Sequence, residues 1–92
     1  MVKRKQLQHL GRRVRELRKD RNLSQAELAE RANLTTNYIG KIERGEAHPT
    51  IEALLAIAEG LKVNVSELFR HLDRPVPKED VKRRIWELLE TL

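Results

Sequence analysis

The sequence predicts an all-α fold in which residues 7–71 form a domain of five short helices and residues 78–92 form an additional C-terminal amphipathic helix. Three observations predict this fold. Apolar residues recur at intervals of three and four along both segments. Residues that favour helix starts, such as Ser24 and Thr50, precede the apolar runs, and glycines follow several of them. Two prolines separated by one residue divide the last run from the others.

The first helix is expected from about Leu7 to Arg21, because Leu7, Leu10, Val14 and Leu17 form one apolar stripe at helical spacing. The residues before it, MVKRKQ at 1–6, contain too little apolar surface to fold alone. We therefore expect a basic N-terminal arm followed by a helix with one buried face.

Positive charge is concentrated at the start of the chain. Residues 1–22 hold nine Lys or Arg against two acidic residues, a net charge of +7, whereas residues 23–92 hold ten against twelve, a net charge of −2. A basic arm and a basic helix of this kind favour contact with phosphates. The alternative for Lys3, Arg4 and Lys5 is a solvated tail that only aids solubility.

The next two helices are expected to be short and set at an angle. Ser24 and Glu27 have the spacing of a reciprocal capping box, which predicts a helix from Gln25 to Ala32. Asn33 follows directly, and asparagine is the commonest substitute for glycine where a tight turn requires positive φ. The sequence therefore predicts helix, tight turn and second helix within about residues 25–44.

Thr35 is expected to cap the second of these helices, Thr36 to Arg44, which Gly45 ends. Its apolar residues Ile39 and Ile42 point inward. The outward residues are then Thr36, Asn37, Lys41 and Arg44, and Gly40 also lies on the exposed face. Asn suits bidentate contact with adenine, Lys suits guanine, Thr suits a thymine methyl or a phosphate, and Arg suits the backbone or a base. This outward set is that of a DNA-reading helix.

Two further helices complete the predicted domain. Thr50 is expected to cap a fourth helix from Ile51 to Gly60, and Asn64 with Glu67 repeats the capping-box spacing before a short fifth helix. The core face assigned to the fourth helix consists of Ile51, Leu54, Leu55 and Ala58, and the fifth helix carries Leu68 and Phe69.

Beyond residue 71 the pattern changes. Residues 72–77 contain both prolines and are expected to form a linker before the helix at 78–92. The apolar side of that last helix consists of Val81, Ile85, Trp86, Leu88, Leu89 and Leu92. This side either packs back on the fifth helix or meets its copy in a second subunit. We favour the dimer, because a small domain gains stability by pairing.

The residues from Leu7 to Phe69 resemble the lambdoid phage repressor and Cro class of helix-turn-helix domains, also called the XRE family. The resemblance rests on three segments, LGRRVRELRKDRNL, SQAELAERANLTTNYIGKIERG and HPTIEALLAIAEGLKVNVSELF. Asn33 departs from the family's usual glycine. The resemblance implies a lambda-repressor-like DNA-binding domain that acts as a homodimer on a palindromic operator, most often as a repressor.

The resemblance also implies roles for individual residues. The helix at 36–44 would enter the major groove, with Thr36, Asn37 and Lys41 reading bases. An ion pair between Arg18 and Glu43 would brace the first helix against the third. The candidate backbone contacts, which combine these implied roles with the basic N-terminal segment, are Gln25, Thr35, Tyr38, Arg44, Arg12, Arg13, Lys3, Arg4 and Lys5.

Other classes of function find little support in the sequence. The chain lacks cysteine, its three histidines lack metal-ligand spacing, and no base lies beside a nucleophile, so we expect neither an enzyme nor a cofactor. No apolar run approaches the ~20 residues of a membrane span, which favours a cytoplasmic protein without membrane contact. The alternative to a DNA-binding regulator is an antitoxin or coactivator that binds a protein partner through the C-terminal helix.

Overall fold

The computed structural model describes residues 2–70 and 88–89. Within residues 2–70 there are four α-helices and one 3-10 helix, and no strand. The helices are α1 at Arg4–Asp20, α2 at Gln25–Ala32, α3 at Thr36–Glu43 and α4 at Ile51–Leu61, and the 3-10 helix η1 covers Val65–Phe69. The all-α prediction is confirmed, with the predicted fifth helix formed as a 3-10 turn.

Helix α1 begins at Arg4, three residues earlier than the sequence predicted. The backbone amide of Lys3 donates to Oε1 of Gln6 at 2.9 Å, which satisfies one amide at the start of the helix. Arg4 and Lys5 therefore belong to the helix and not to an arm. The predicted apolar stripe from Leu7 to Leu17 is buried, as expected.

The core is assembled from all five helical elements. Helix α1 packs against α3 and η1, while α2 packs against α3 and α4. The largest side chains at its centre are fully buried: Val14, Leu28, Ile39, Ile42, Ile57, Leu61 and Leu68. Each of these short helices is marginal by itself, so burial of one face against the others stabilises it.

The core face that the sequence assigned to α4 is confirmed for Leu54 and Ala58 and wrong for Ile51 and Leu55. Ile51 and Leu55 are 76% and 51% exposed. The buried residues of α4 are Ala53, Leu54, Ile57, Ala58, Gly60 and Leu61. The hydrophobic period fitted both faces, because α4 is apolar around most of its circumference, and contact with α2 decided between them.

The predicted end of α4 is also one residue short. Gly60 lies inside the helix, where a Cβ would come within 3.2 Å of the Cβ of Arg31 on α2. The left-handed residue that terminates the helix is Lys62, with φ of 58°. Gly60 thus serves the close approach of α4 to α2 and not the helix end.

The predicted linker at 72–77 and most of the predicted helix at 78–92 lie outside the described residues. This applies to the proposed interface residues Val81, Ile85, Trp86 and Leu92. Leu88 and Leu89 are described, and both are helical and exposed.

Candidate nucleic-acid interface

The turn between α2 and α3 is built as the sequence predicted. The hydroxyl of Ser24 accepts from the amide of Glu27 at 3.0 Å, and the amide of Ser24 donates to Oε1 of Glu27 at 3.0 Å. The amide and hydroxyl of Ser24 hold the pKa of the Glu27 carboxyl below its usual value. Asn33 ends α2 with φ of 55°, and the next amide, of Leu34, donates to the carbonyl of Ala29 at 2.8 Å. This left-handed residue sets the angle between the two helices.

Helix α3 presents its polar side to solvent. The hydroxyl of Thr35 accepts from the amide of Tyr38 at 3.1 Å and caps the helix, while Ile39 and Ile42 are buried. The outward residues Thr36, Asn37 and Lys41 are exposed. A shallow depression of about 610 Å³ follows this side and is lined by Asn33, Leu34, Thr35, Asn37, Tyr38 and Lys41. Two of the predicted base-reading residues, Asn37 and Lys41, thus line one accessible depression, and Thr36 is exposed on the same helix.

A buried ion pair joins α1 to α3. Nε of Arg18 donates to Oε2 of Glu43 at 2.7 Å, and Nη2 of Arg18 donates to Oε1 at 3.1 Å. Nη1 of Arg18 also donates to the carbonyl of Leu23 at 2.7 Å. The side chains are only 10% and 3% exposed. This is the ion pair that the family resemblance implied, and it fixes the end of α3 relative to α1.

The same carboxylate extends the network to α2. Nε2 of Gln25 donates to Oε1 of Glu43 at 3.0 Å, so the amide orientation of Gln25 is set by Glu43. Gln25 is the first residue of α2, where free backbone amides favour an anion. Arg18, Glu43 and Gln25 therefore form a continuous link from the core to the surface beside α3.

Gly40 is buried, and the prediction that it lies on the exposed face is wrong. A Cβ at this position would come within 3.0 Å of Nη1 of Arg44 and 3.6 Å of Oε1 of Gln25. The side chains of Arg44 and Gln25 therefore cover Gly40. Arg44 also donates through Nε to Oε2 of Glu46 at 3.1 Å.

The basic residues near the N-terminus fall into two groups. Lys3, Arg4, Lys5 and Arg12 are exposed. Arg13 differs, because its Nε donates to the carbonyl of Glu67 at 2.9 Å and its Nη2 donates to the carboxylate of that residue at 2.8 Å. The guanidinium therefore joins α1 to η1, and the role of Arg13 as a DNA backbone contact stays a prediction.

One residue that positions the site was missed from the sequence. A Cβ on Gly11 would lie 2.2 Å from the carbonyl oxygen of Ile42 and 2.6 Å from that of Glu43. Glycine thus allows the backbone of α1 to lie directly against the end of α3. A signal was present, because a glycine inside a regular helical stripe often indicates a close backbone approach.

Two short helices joined by a left-handed turn, the second presenting amide, hydroxyl and amine side chains outward, define a helix-turn-helix DNA-binding domain. The chain belongs to the HTH_3 helix-turn-helix family, whose profile matches residues 14–68, more than half of the 92 residues. The chain thus carries a DNA-binding helix-turn-helix domain of the Cro and CI-like, XRE type, and relatives that share this domain are named a repressor and a transcriptional regulator.

Individual relatives agree with this assignment. The chain is 41% identical over 59 residues to the immunity repressor protein of Bacillus phage phi105, covering 64% of this chain and 41% of that protein. It is 41% identical over 59 residues to control protein C.SmaI of Serratia marcescens, covering 64% of this chain and 70% of that protein. The chain therefore spans less than half the length of the phage repressor.

A solved structure is also similar. The restriction-modification controller protein C.AhdI of Aeromonas hydrophila superposes with a TM-score of 0.68 at 38% identity, covering 68% of this chain and 96% of that one. Within residues 2–70 and 88–89, no cluster of side chains suited to a metal ion occurs, and no helix has the length and apolarity to cross a membrane.

Proposed function

We propose that this protein is a repressor that binds a palindromic operator in double-stranded DNA as a homodimer, with α3 in the major groove. The observation that carries the proposal is the placement of Thr36, Asn37 and Lys41 on one exposed side of a helix whose other side is buried. Asparagine and lysine at such positions match the donor and acceptor patterns of adenine and guanine in the major groove.

The surrounding residues are proposed to hold the DNA backbone. Gln25 and Arg44 flank Gly40, and Thr35 and Tyr38 border the depression beside α3. Lys3, Arg4, Lys5 and Arg12 add exposed positive charge from the start of the chain. Arg13 is not included, because its guanidinium is engaged with η1.

A homodimer follows from the small footprint of one domain. Two reading helices about 34 Å apart would contact successive turns of one DNA face, which requires an approximately palindromic site. One candidate surface for pairing is the apolar side of the helix that the sequence predicts at 78–92. A second candidate, on the described residues, is the side of α4 that exposes Ile51 and Leu55.

A cytoplasmic location is proposed from the DNA-binding fold, and the repressor role is proposed from the relatives. One of them is named an immunity repressor and another a control protein of a restriction system. A domain that occupies the major groove near a promoter excludes other proteins from the same DNA, which is the simplest mechanism of repression.

The base-reading assignment is tested with Asn37→Ala. The operator is first recovered by selecting bound duplexes from a random pool, and affinity is then measured by fluorescence anisotropy. Loss of a bidentate contact is expected to weaken operator binding by about 1 to 3 kcal/mol and to relax preference at one base position. Ser66→Ala, an exposed substitution on η1, is the control and should change neither quantity. Unchanged operator preference in Asn37→Ala would remove this residue from the base readers.

The dimer is tested by measuring molar mass in solution. Leu55→Glu places a charge on the exposed side of α4, and Ile85→Glu places one on the apolar side of the predicted last helix. Whichever surface mediates pairing should give a monomer on substitution, because an unpaired charge is poorly tolerated in an apolar interface. A monomeric unmodified chain at the concentrations that bind DNA would contradict the dimer.

A further inference from the structure

We propose that the DNA-backbone contacts of α1 extend along one side of the helix to Arg15 and Lys19, which contact phosphates beyond the bases that α3 reads. We call this side the α1 flank; it consists of Arg4, Lys5, Arg12, Arg15 and Lys19. Arg15 and Lys19 have no role in the interface described above. The inference rests on the proposed function, since it extends the same protein–DNA contact.

The flank lies on the side of α1 that adjoins α3. Gly11 contacts the backbone of Ile42 and Glu43, and Arg18 is bonded to Glu43, so both mark the α3 side of the helix. Arg15 is four residues after Gly11 and three before Arg18, which places it on the same side of the helix. Because Arg15 is exposed, it lies at the outer border of this side and next to the end of α3.

The other members continue outward from this border. Arg12 and Lys19 are three residues before and four residues after Arg15, and both are exposed. Arg4 lines a depression of about 380 Å³ together with Leu7, Gly45, Glu46 and His48, which joins the flank to the loop after α3. The flank is therefore continuous with the C-terminal end of the reading helix.

The charges on the flank are unneutralised. In the described part of the chain, Arg13 and Arg18 of α1 form ion pairs, whereas none of the five flank residues does. Glu16, one of two acidic residues in α1, is a helical neighbour of Arg12 and Lys19 but forms its ion pair with Arg13. Like charges at spacings of three and four destabilise a helix slightly, so a row of unpaired cations favours a polyanionic partner.

DNA fits the flank better than an acidic protein does. From Arg4 to Lys19 the helix axis extends about 22 Å, a length that several phosphates of one strand occupy. Protein interfaces usually include an apolar centre, but none of the large exposed apolar residues of the described chain lies in α1. A surface of cations without apolar side chains matches a sugar-phosphate backbone.

The test compares two double variants that remove the same charge. Arg15→Gln/Lys19→Gln alters the flank, and Lys62→Gln/Arg70→Gln removes two exposed cations near α4 and η1 as a matched control. The probe is the selected operator duplex, titrated by fluorescence anisotropy at several salt concentrations. Thermal melts of both variants establish that they remain folded.

For the flank variant, the slope of log affinity against log salt should become shallower by about 3.6 for the proposed homodimer, because two phosphate contacts are lost in each protomer. Affinity near 0.1 M salt should then fall on the order of tenfold or more, equally for operator and random duplex, with the operator preference kept. The control variant should retain most of its affinity and slope. Equal affinities and slopes for the two double variants would overturn the proposal.

Duplex length supplies a second readout. Extending the selected operator by about 10 base pairs, one helical turn, on each side should strengthen binding of the unmodified chain but not of the flank variant. An equal gain for both would show that the flank does not contact outer phosphates. If the unmodified chain failed to distinguish operator from random duplex, the proposed function itself would fail, and the two failures are therefore distinguishable.

Discussion

Two arginine–glutamate ion pairs join α1 to its neighbours, one to α3 and one to η1. The pairs differ in burial and in their further hydrogen-bond partners. Arg18 and Glu43 are 10% and 3% exposed, and Glu43 also accepts from Gln25 at the DNA-facing surface. Arg13 and Glu67 are 19% and 39% exposed, and their hydrogen bonds end on η1.

The difference shows that the same two residue types serve separate purposes in one small domain. A buried pair is costly to break, because the remaining charge is left without water or partner. A half-exposed pair contributes little to the free energy of unfolding, because water replaces the partner that a substitution removes. Only the buried pair is linked to the reading surface, so only its loss should affect stability and DNA binding together.

The largest effect is expected from Glu43→Ala. This substitution leaves the buried guanidinium of Arg18 with the Leu23 carbonyl as its remaining partner and releases Gln25. The free energy of unfolding should fall by about 3 to 5 kcal/mol, measured by urea denaturation. DNA affinity should fall as well, even at temperatures where the variant is folded.

A double variant separates the two effects. Arg18→Met/Glu43→Leu replaces the pair with apolar side chains, which should recover most of the unfolding free energy. DNA affinity should stay low, because Gln25 has lost the carboxylate that orients it. Full recovery of both properties would show that Glu43 acts on stability alone.

Glu67→Ala tests the opposite edge of α1. The Nε of Arg13 keeps the backbone carbonyl of residue 67, and the carboxylate that is lost was partly exposed. The free energy of unfolding should therefore fall by about 1 kcal/mol or less. Anisotropy with the operator should give the affinity of the unmodified chain; a tenfold loss would mean that η1 influences the DNA surface.

Local signals in the sequence predicted the caps of α2, α3 and α4 and the turn, because a cap depends on residues close together in the chain. Ser24 with Glu27 and the left-handed Asn33 were found this way. The predicted capping box of Asn64 and Glu67 is wrong, because Asn64 accepts from the amide of Ser66 and the Glu67 carboxylate accepts from Arg13. The exposed face of α4 and the burial of Gly40 were not predictable, because they depend on which neighbour covers a helix. The hydrogen bond from Arg13 to the carbonyl of Glu67 was not predictable for the same reason, because its two residues lie 54 positions apart in the chain.

Gly40→Ala tests the DNA-facing end of the buried network. Alanine is favoured over glycine inside a helix by up to about 1 kcal/mol, and the nearest obstacle is the flexible end of Arg44. The free energy of unfolding should rise slightly, while operator affinity should fall by a few-fold, because Arg44 and Gln25 are displaced from their places over the glycine. An increase in both would show that the space above Gly40 has no part in binding.

The smallest effect on the free energy of unfolding is expected at Glu27, whose carboxylate is more exposed than those of Glu43 and Glu67. Hydrogen bonds from Ser24 lower the pKa of its carboxyl in the folded state, so ionised Glu27 stabilises the fold above the pKa of the unfolded chain. This contribution should be lost as pH falls through the lowered pKa.

Glu27→Gln keeps an acceptor for the Ser24 amide but does not titrate. In urea denaturation at several pH values, the unmodified chain should be slightly more stable near neutrality, and the difference should shrink between about pH 5 and pH 3. A difference that is constant across this range would mean that the cap depends on the hydrogen bond alone and not on the charge.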